Sequence, residues 1–255
     1  MKYKAMLFDL DGTLLQSNKT ISNHTLQAIK KCREEGMLIG IATARCEARS
    51  MQYIRVVEPD ILILSGGAAV KYKEDYVYID AFSTEEINHM ICLAREICGA
   101  DCGLTVDTLH EHYANDDKHL KVGNGVEQVS IHSDFVDFSE PGLKVCVKTS
   151  DTEKAKCLAE KLDEYDFAKF TGEDWYKITK KTATKELGVQ KLCEASGLES
   201  KEIIAFGDDL VDSGMMKFCG LGVAMGNSIQ AALESADVVI GSNDEDGIAE
   251  FLKTL

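Results

Sequence analysis

Short apolar runs alternate along this chain with longer stretches of helical period, and several of the runs stop at polar groups. Ala5-Met6-Leu7-Phe8 predicts a buried strand that ends at Asp9-Leu10-Asp11-Gly12-Thr13. Ser22 is placed to cap a helix whose period is carried by Leu26, Ile29, Lys30 and Cys32 as far as Gly36. Residues 37–42 predict a second buried strand, ending at Thr43-Ala44-Arg45, with a helix through Val56 behind it. Residues 60–64 predict a third strand, ending in Ser65-Gly66-Gly67-Ala68. Strand, helix, strand, helix, strand is the signature of a parallel sheet.

The pattern then changes. Residues 70–81 read as a hairpin turning at Lys73-Glu74-Asp75, followed by a helix over 84–98 and a polar, irregular stretch over 107–124. A strand over 142–147 and a helix over 151–165 complete what reads as a separate α+β module. From Thr184 the first pattern resumes, with a helix closed by Gly197 as its C′ glycine. A strand over 203–206 ends in Gly207-Asp208-Asp209; a helix, a strand over 222–226, a helix from Ser228, a short strand over 237–240 and a terminal helix follow. The expected fold class is α/β: a core formed by residues 1–81 and 183–255, split by an α+β insertion over 82–182.

The chemistry sits at the strand ends. Along a strand, Asp9 and Asp11 point to one face because the side-chain period is two. Carboxylates that close repel, and a hard divalent cation relieves the repulsion; alternatively one attacks while its neighbour carries protons. A capped junction with solvated aspartates would also account for this pair alone. Taken singly, Thr43 reads as a helix cap, Lys185 as a surface lysine, and Asp208 and Asp209 as acids at a helix start. Taken together with Asp212, they offer converging oxygen ligands that suit Mg²⁺, with a hydroxyl and an ammonium to receive phosphate.

Composition narrows the partners. The net charge of −15 argues against nucleic acid and anionic membranes, which need a basic footprint, yet leaves a small phosphorylated metabolite open. Nine scattered cysteines without C-x-x-C spacing fit reduced thiols and a cytoplasmic location, with Cys46 read as a buried, inert thiol. Neither a signal-peptide core nor a stretch long and apolar enough to span a membrane is expected. His110-Glu111-His112 would share one face if it formed a strand; without a further ligand, these residues and His119 read as a solvated strand or loop, or as contacts to a leaving group. Trp175 reads as packing.

The order Asp9-Leu10-Asp11-Gly12-Thr13, Thr43, Lys185, Gly207-Asp208-Asp209-Leu210-Val211-Asp212 resembles the haloacid dehalogenase-like superfamily. Gly222-Val223-Ala224-Met225-Gly226-Asn227, then Ala236-Asp237 and Asn243-Asp244-Glu245-Asp246-Gly247, resemble the Cof-type phosphatases, whose large α/β cap (type IIB) is inserted between the second and third motifs. The resemblance implies a Rossmann-like parallel sheet core with an inserted α+β cap domain. It also implies Mg²⁺-dependent hydrolysis of small phosphate monoesters, sugar or cofactor phosphates, through an aspartyl-phosphate. By the same resemblance Asp9 is the nucleophile, and Asp11 protonates the leaving oxygen and then activates water, with burial and its neighbour's charge favouring its protonated form. Mg²⁺ would be held by Asp9, the backbone carbonyl of Asp11 and Asp208. The phosphoryl oxygens would be held by Thr43, Lys185 and the amides of Leu10 and Ala44, with Thr13 and Asp212 in support. The cap would close over the substrate on hinges near 81–82 and 180–182. Val211 and Gly66 stand where the family usually has Asn, and Ala44 and Glu186 where it usually has Gly. A phosphomutase on the same scaffold and a weakly catalytic phospho-ligand-binding regulator are the alternative readings.

Overall fold

A computed structural model describes residues 2–115, 130–170 and 172–255; His119 and the last part of the predicted irregular stretch lie outside them. The chain forms two compact units, Met1–Ala44 with Tyr53–Ile79 and Thr184–Leu255, and Arg45–Gln52 with Asp80–Ala183.

The first unit is built on strands β1 (Ala5–Phe8), β2 (Leu38–Ala42), β3 (Ile61–Leu64), β4 (Ala69–Tyr72), β5 (Asp75–Ile79), β12 (Ile203–Gly207), β13 (Leu221–Ala224) and β14 (Val238–Val239). They make one eight-stranded sheet in the order β14-β13-β12-β1-β2-β3-β4-β5. All neighbours from β14 to β3 are parallel, and the β4–β5 hairpin closes one edge antiparallel. β1 and β3 are buried at every position, as strands covered on both faces should be. The helices are α1 (Asn23–Glu34), α5 (Lys185–Ser196), α6 (Ser213–Phe218), α7 (Gln230–Leu233) and α8 (Gly247–Leu252), with α2 (Glu47–Val57) contributing its second half. Ser22 does cap α1 by accepting the Thr25 N–H, and Gly197 does close α5 in the left-handed conformation at φ 76°.

The chain leaves β1 toward β2 and β3 on one side and later fills the other side with β12 to β14. The direction of winding reverses between β1 and β12, where open α/β sheets bind ligands beyond the strands' carboxyl ends. Phe8 and Phe206 are in register across this junction, their rings stacked at 4.6 Å. Asp9 and Asp208 emerge immediately beyond it.

The second unit is α+β. Its strands are β6 (Leu104–Asp107), β7 (His112–Ala114), β8 (Ile131–His132), β9 (Lys144–Lys148), β10 (Asp166–Lys169) and β11 (Trp175–Thr179). Among the described residues they form a sheet ordered β10-β11-β9-β6-β7-β8, antiparallel except for β7–β8. Helices α3 (Thr84–Cys98) and α4 (Thr152–Lys161) contribute Ile87, Met90, Ile91, Ala94 and Leu158 to a core with Leu104, Val106, Val145, Val147 and Ile178. α3 starts at a capping box between Ser83 and Glu86.

Several expectations are corrected. The helix expected to reach residue 165 stops at Lys161, because Leu162 turns into the core and Tyr165 packs edge-on against Phe82 at 5.1 Å. The stretch expected to be irregular from 107 contains β7, which pairs with β6 from Asp107 to Thr105. The helix expected from Ser228 is one turn, Gln230–Leu233. No helix among the described residues is long and apolar enough to cross a membrane.

Candidate active site

Three loops meet at the β1/β12 junction. The first follows β1. Asp9 is buried, and its N–H continues the ladder to Phe206 O at 3.1 Å. Gly12 turns the chain at φ 86°, and a Cβ there would lie 2.3 Å from Asp208 Oδ2, so conformation and space both demand glycine. Thr13 then donates its hydroxyl to Asp208 Oδ1 at 2.8 Å.

The second loop follows β12. Asp212 is fully buried, and its Oδ2 accepts the N–H groups of Asp208 and Asp209, each at 3.1 Å. This closes the loop on itself and aims the Asp208 carboxylate at Gly12.

The third element is the start of α5. Thr184 caps it by accepting the Leu187 N–H. The backbone approaches so closely that a Cβ on Gly67 (φ 112°) would lie 2.0 Å from Thr184 O. This contact seats Lys185, only 2% exposed, with Nζ 2.6 Å from Asp9 Oδ1 and 2.5 Å from Asp212 Oδ1.

One ammonium thus faces the carboxylates of Asp9, Asp212 and Asp208, whose ligand atoms lie within 4.8 Å of one another. Burial pushes Asp9 well above the usual carboxylate range, Asp212 and Asp208 add to the push, and Lys185 opposes it. Asp208 is pushed up to about 6, chiefly by burial and with help from Asp212 and Asp209, against the Thr13 hydrogen bond and Lys185. Burial disfavours the Lys185 ammonium, but Asp212 and Asp9 outweigh it and hold the group above the ordinary lysine value. Asp9 Oδ2 and Asp208 Oδ2 take no hydrogen bond among the described residues. The all-oxygen donor set and its uncompensated negative charge fit a hard divalent cation.

The other expected residues are placed as follows. Thr43 is buried just beyond β2, its N–H bonded to Ile63 O at 2.8 Å and its carbonyl to Gly66 N–H at 2.9 Å. Leu10 is buried and Ala44 exposed. Gly66 occupies the left-handed region at φ 74°, which Asn also tolerates, so glycine there keeps the turn while removing an amide. Val211 is 49% exposed.

Asp11 departs from expectation. β1 ends at Phe8, so strand alternation does not carry on to place Asp11 beside Asp9. Its carboxylate is 42% exposed rather than buried, lies outside the acidic cluster, and pairs with Lys19 Nζ at 2.8 Å.

Within the second unit the histidines separate. His110 sits in a turn closed by Thr108 N–H to Glu111 O (2.9 Å), is largely exposed, and faces Glu47 at 3.2 Å. His112 lies on β7 and is buried, not solvated, with Nδ1 2.5 Å from Asp107 Oδ1; Lys144 Nζ lies 2.6 Å from Asp107 Oδ2. The two rings do not share a strand face. Cys46 is buried, and burial pushes its thiol up to about 12, as an inert thiol requires. Trp175 is buried on β11.

Residues with no role assigned from the sequence also converge here. Asn227 reaches Gly12 O and Asn243 reaches Leu15 O, at 2.8 and 2.7 Å. Their only sequence signal was membership of the Cof-type tail motifs.

Comparison with known proteins places the chain in a family. A family model for haloacid dehalogenase-like hydrolases matches residues 6–252. The 5-amino-6-(5-phospho-D-ribitylamino)uracil phosphatase YitU of Bacillus subtilis (strain 168) is 30% identical, over 96% of this chain and 94% of that protein. A haloacid dehalogenase-like hydrolase from Bacteroides thetaiotaomicron superposes with a TM-score of 0.86 at 22% identity, covering 99% of each chain. A subclass IIB sugar phosphatase superposes with a TM-score of 0.79 at 23% identity, covering 98% of each. With its acidic loops at the β1/β12 junction and a family match across nearly its whole length, this chain belongs to the haloacid dehalogenase-like hydrolases, of the Cof type.

Proposed function

We propose that this enzyme is a Mg²⁺-dependent phosphatase of small phosphate monoesters that works through a phosphorylated Asp9. The observation that carries the reading is the cluster of buried Asp9 and Asp212 with half-buried Asp208, in which the Lys185 ammonium pairs with Asp9 and Asp212. Mg²⁺ would be held by Asp9, Asp208 and the Asp11 backbone carbonyl, and would supply charge neutralisation for the phosphoryl group.

Asp9 attacks phosphorus, forming a carboxylate oxygen–phosphorus bond as the ester oxygen leaves. Asp11 gives that oxygen its proton, then takes one from the water that cleaves the acyl phosphate, so inorganic phosphate departs and Asp9 is regenerated. Asp11 suits a proton carrier because it sits at the exposed rim, where protons exchange with solvent. Lys185, Thr43 and the amides of Leu10 and Ala44 hold the phosphoryl oxygens in line, and this placement supplies most of the rate.

The substrate class is sugar or cofactor phosphates. The relative named as acting on a phosphoribitylaminouracil supports an ester on a polyol chain. The second unit is proposed to act as the cap that selects the leaving group. The experiment is a phosphate-release screen of sugar, polyol and cofactor phosphates with Mg²⁺. Release from one class, abolished by a chelator, is the expected result; no release from any ester by folded protein would overturn the reading.

A further inference from the structure

The turn after β13 binds both acidic loops to each other. From it, Met225 N–H donates to Gly207 O at 3.1 Å and Ile229 N–H to Asp208 O at 3.0 Å. Between them, Asn227 reaches the other way and donates Nδ2 to Gly12 O at 2.8 Å. The orientation of its amide is dictated, because Oδ1 accepts the Asn243 N–H at 3.0 Å and a carbonyl can only accept from Nδ2. Asn243 donates its own amide to Leu15 O at 2.7 Å. Farther along, Asp244 takes the Ser17 N–H and hydroxyl at 2.8 and 2.6 Å, and Asp246 takes the Ser22 hydroxyl at 2.5 Å. The loop after the nucleophile is therefore stitched to the C-terminal segment, and Asn227 is the stitch next to Asp11.

That position matters because Gly12 holds a left-handed conformation against Asp208 and is linked to Asp11 through its N–H and to Thr13 through the carbonyl that Asn227 holds. The Gly12 carbonyl lies in the peptide that joins Gly12 to Thr13, so the Asn227 bond fixes one side of the turn whose other side is Asp11, while Thr13 and the Asn227 turn both hold Asp208. We propose that Asn227, oriented by Asn243, is a positioning residue that sets the Asp11–Gly12 turn at a fixed spacing from Asp208. The proposal rests on the Mg²⁺-dependent reading above. Asn227 touches neither the cation nor substrate; it acts through the Gly12 carbonyl, as outer partners of metal ligands do.

The test compares wild type, Asn227→Ala and Ser17→Ala, the last removing a hydroxyl bond from the same brace away from the acidic loops. Calorimetric titration of the substrate-free protein with Mg²⁺ is read beside kcat and KM at saturating Mg²⁺. Asn227 is exposed, so Asn227→Ala should fold; should it fail to, Asn227→Ser, whose hydroxyl cannot span to Gly12 O, takes its place. Asn227→Ala is expected to weaken Mg²⁺ binding and lower kcat, each by roughly 10-fold or more, as outer-shell losses do, with KM for the ester nearly unchanged. Ser17→Ala should leave Mg²⁺ affinity as in wild type. Unchanged Mg²⁺ affinity in Asn227→Ala, an equal loss in Ser17→Ala, or an effect on KM alone would overturn the proposal while the wild type still bound Mg²⁺ and released phosphate. A wild type that binds no Mg²⁺ would instead overturn the phosphatase reading and this inference together.

Discussion

Lys185 Nζ lies 2.6 Å from Asp9 Oδ1, although 176 residues separate the two along the chain. The contact is buried, and the same ammonium is shared with Asp212. It places a fixed positive charge beside the proposed nucleophile and gives the buried ammonium two carboxylate partners.

Asp9→Asn is expected to remove phosphate release to below roughly 10⁻³ of wild type, since an amide does not form the acyl phosphate. Burial opposes the Asp9 charge, so the neutral replacement should melt at the same temperature or higher. Steady-state release and a thermal melt check both halves; retained turnover would remove Asp9 from the role.

Lys185→Met takes away the cation that faces Asp9 and Asp212. Breaking a buried pair from one side typically costs about 3–5 kcal/mol. Urea melts in chelator should show a loss of that order, and Mg²⁺ should restore part of it by binding the carboxylates left facing each other. A melt indistinguishable from wild type would mean the ammonium is not compensating those charges.

Gly12→Ala meets a double penalty, since φ is 86° and the new Cβ would sit 2.3 Å from Asp208 Oδ2. Strain at such a position costs about 1–3 kcal/mol, and relief requires Asp208 to move. Thermal shift with and without Mg²⁺ should show lower stability and a much smaller Mg²⁺-induced rise than in wild type. Full retention of the Mg²⁺ response would separate Gly12 from the proposed metal site.

Asp107 is expected to make the second unit sensitive to acid. Burial works against its charge, but Lys144, with His112, overrides burial and holds the carboxyl far below the usual carboxylate range. A depressed folded-state value means that the stabilisation is fully present above the unfolded carboxyl value of about 4 and is lost as pH falls below it. Asp107→Asn should therefore destabilise the protein at pH 7, since it takes a carboxylate away from the buried Lys144 ammonium, and should flatten the fall in melting temperature below about pH 4. An equally steep acid profile in the variant would assign that sensitivity to other groups.

Local sequence determined the parallel-sheet core. The fully apolar β1 and β3, the Ser22 cap and the Gly197 stop are each decided within a few residues by burial, capping and backbone freedom. The presence of acids just beyond β1 and β12 was equally legible, because strand ends can be read from where apolar runs stop. The strands β10 and β11 were not, since β10 is half-exposed and shows no apolar run, and β11 gains its place from pairing with β10 and with β9 farther back along the chain. What surrounds each charged group was decided by tertiary structure alone. Asp11 turned out to be at the rim beside Lys19, and His112 to be sealed against Asp107, because burial and pairing depend on which distant segments arrive beside a residue. The seating of Lys185 and the reach of Asn227 to Gly12 belong to the same class: single contacts between loops that only the winding order of the sheet brings together.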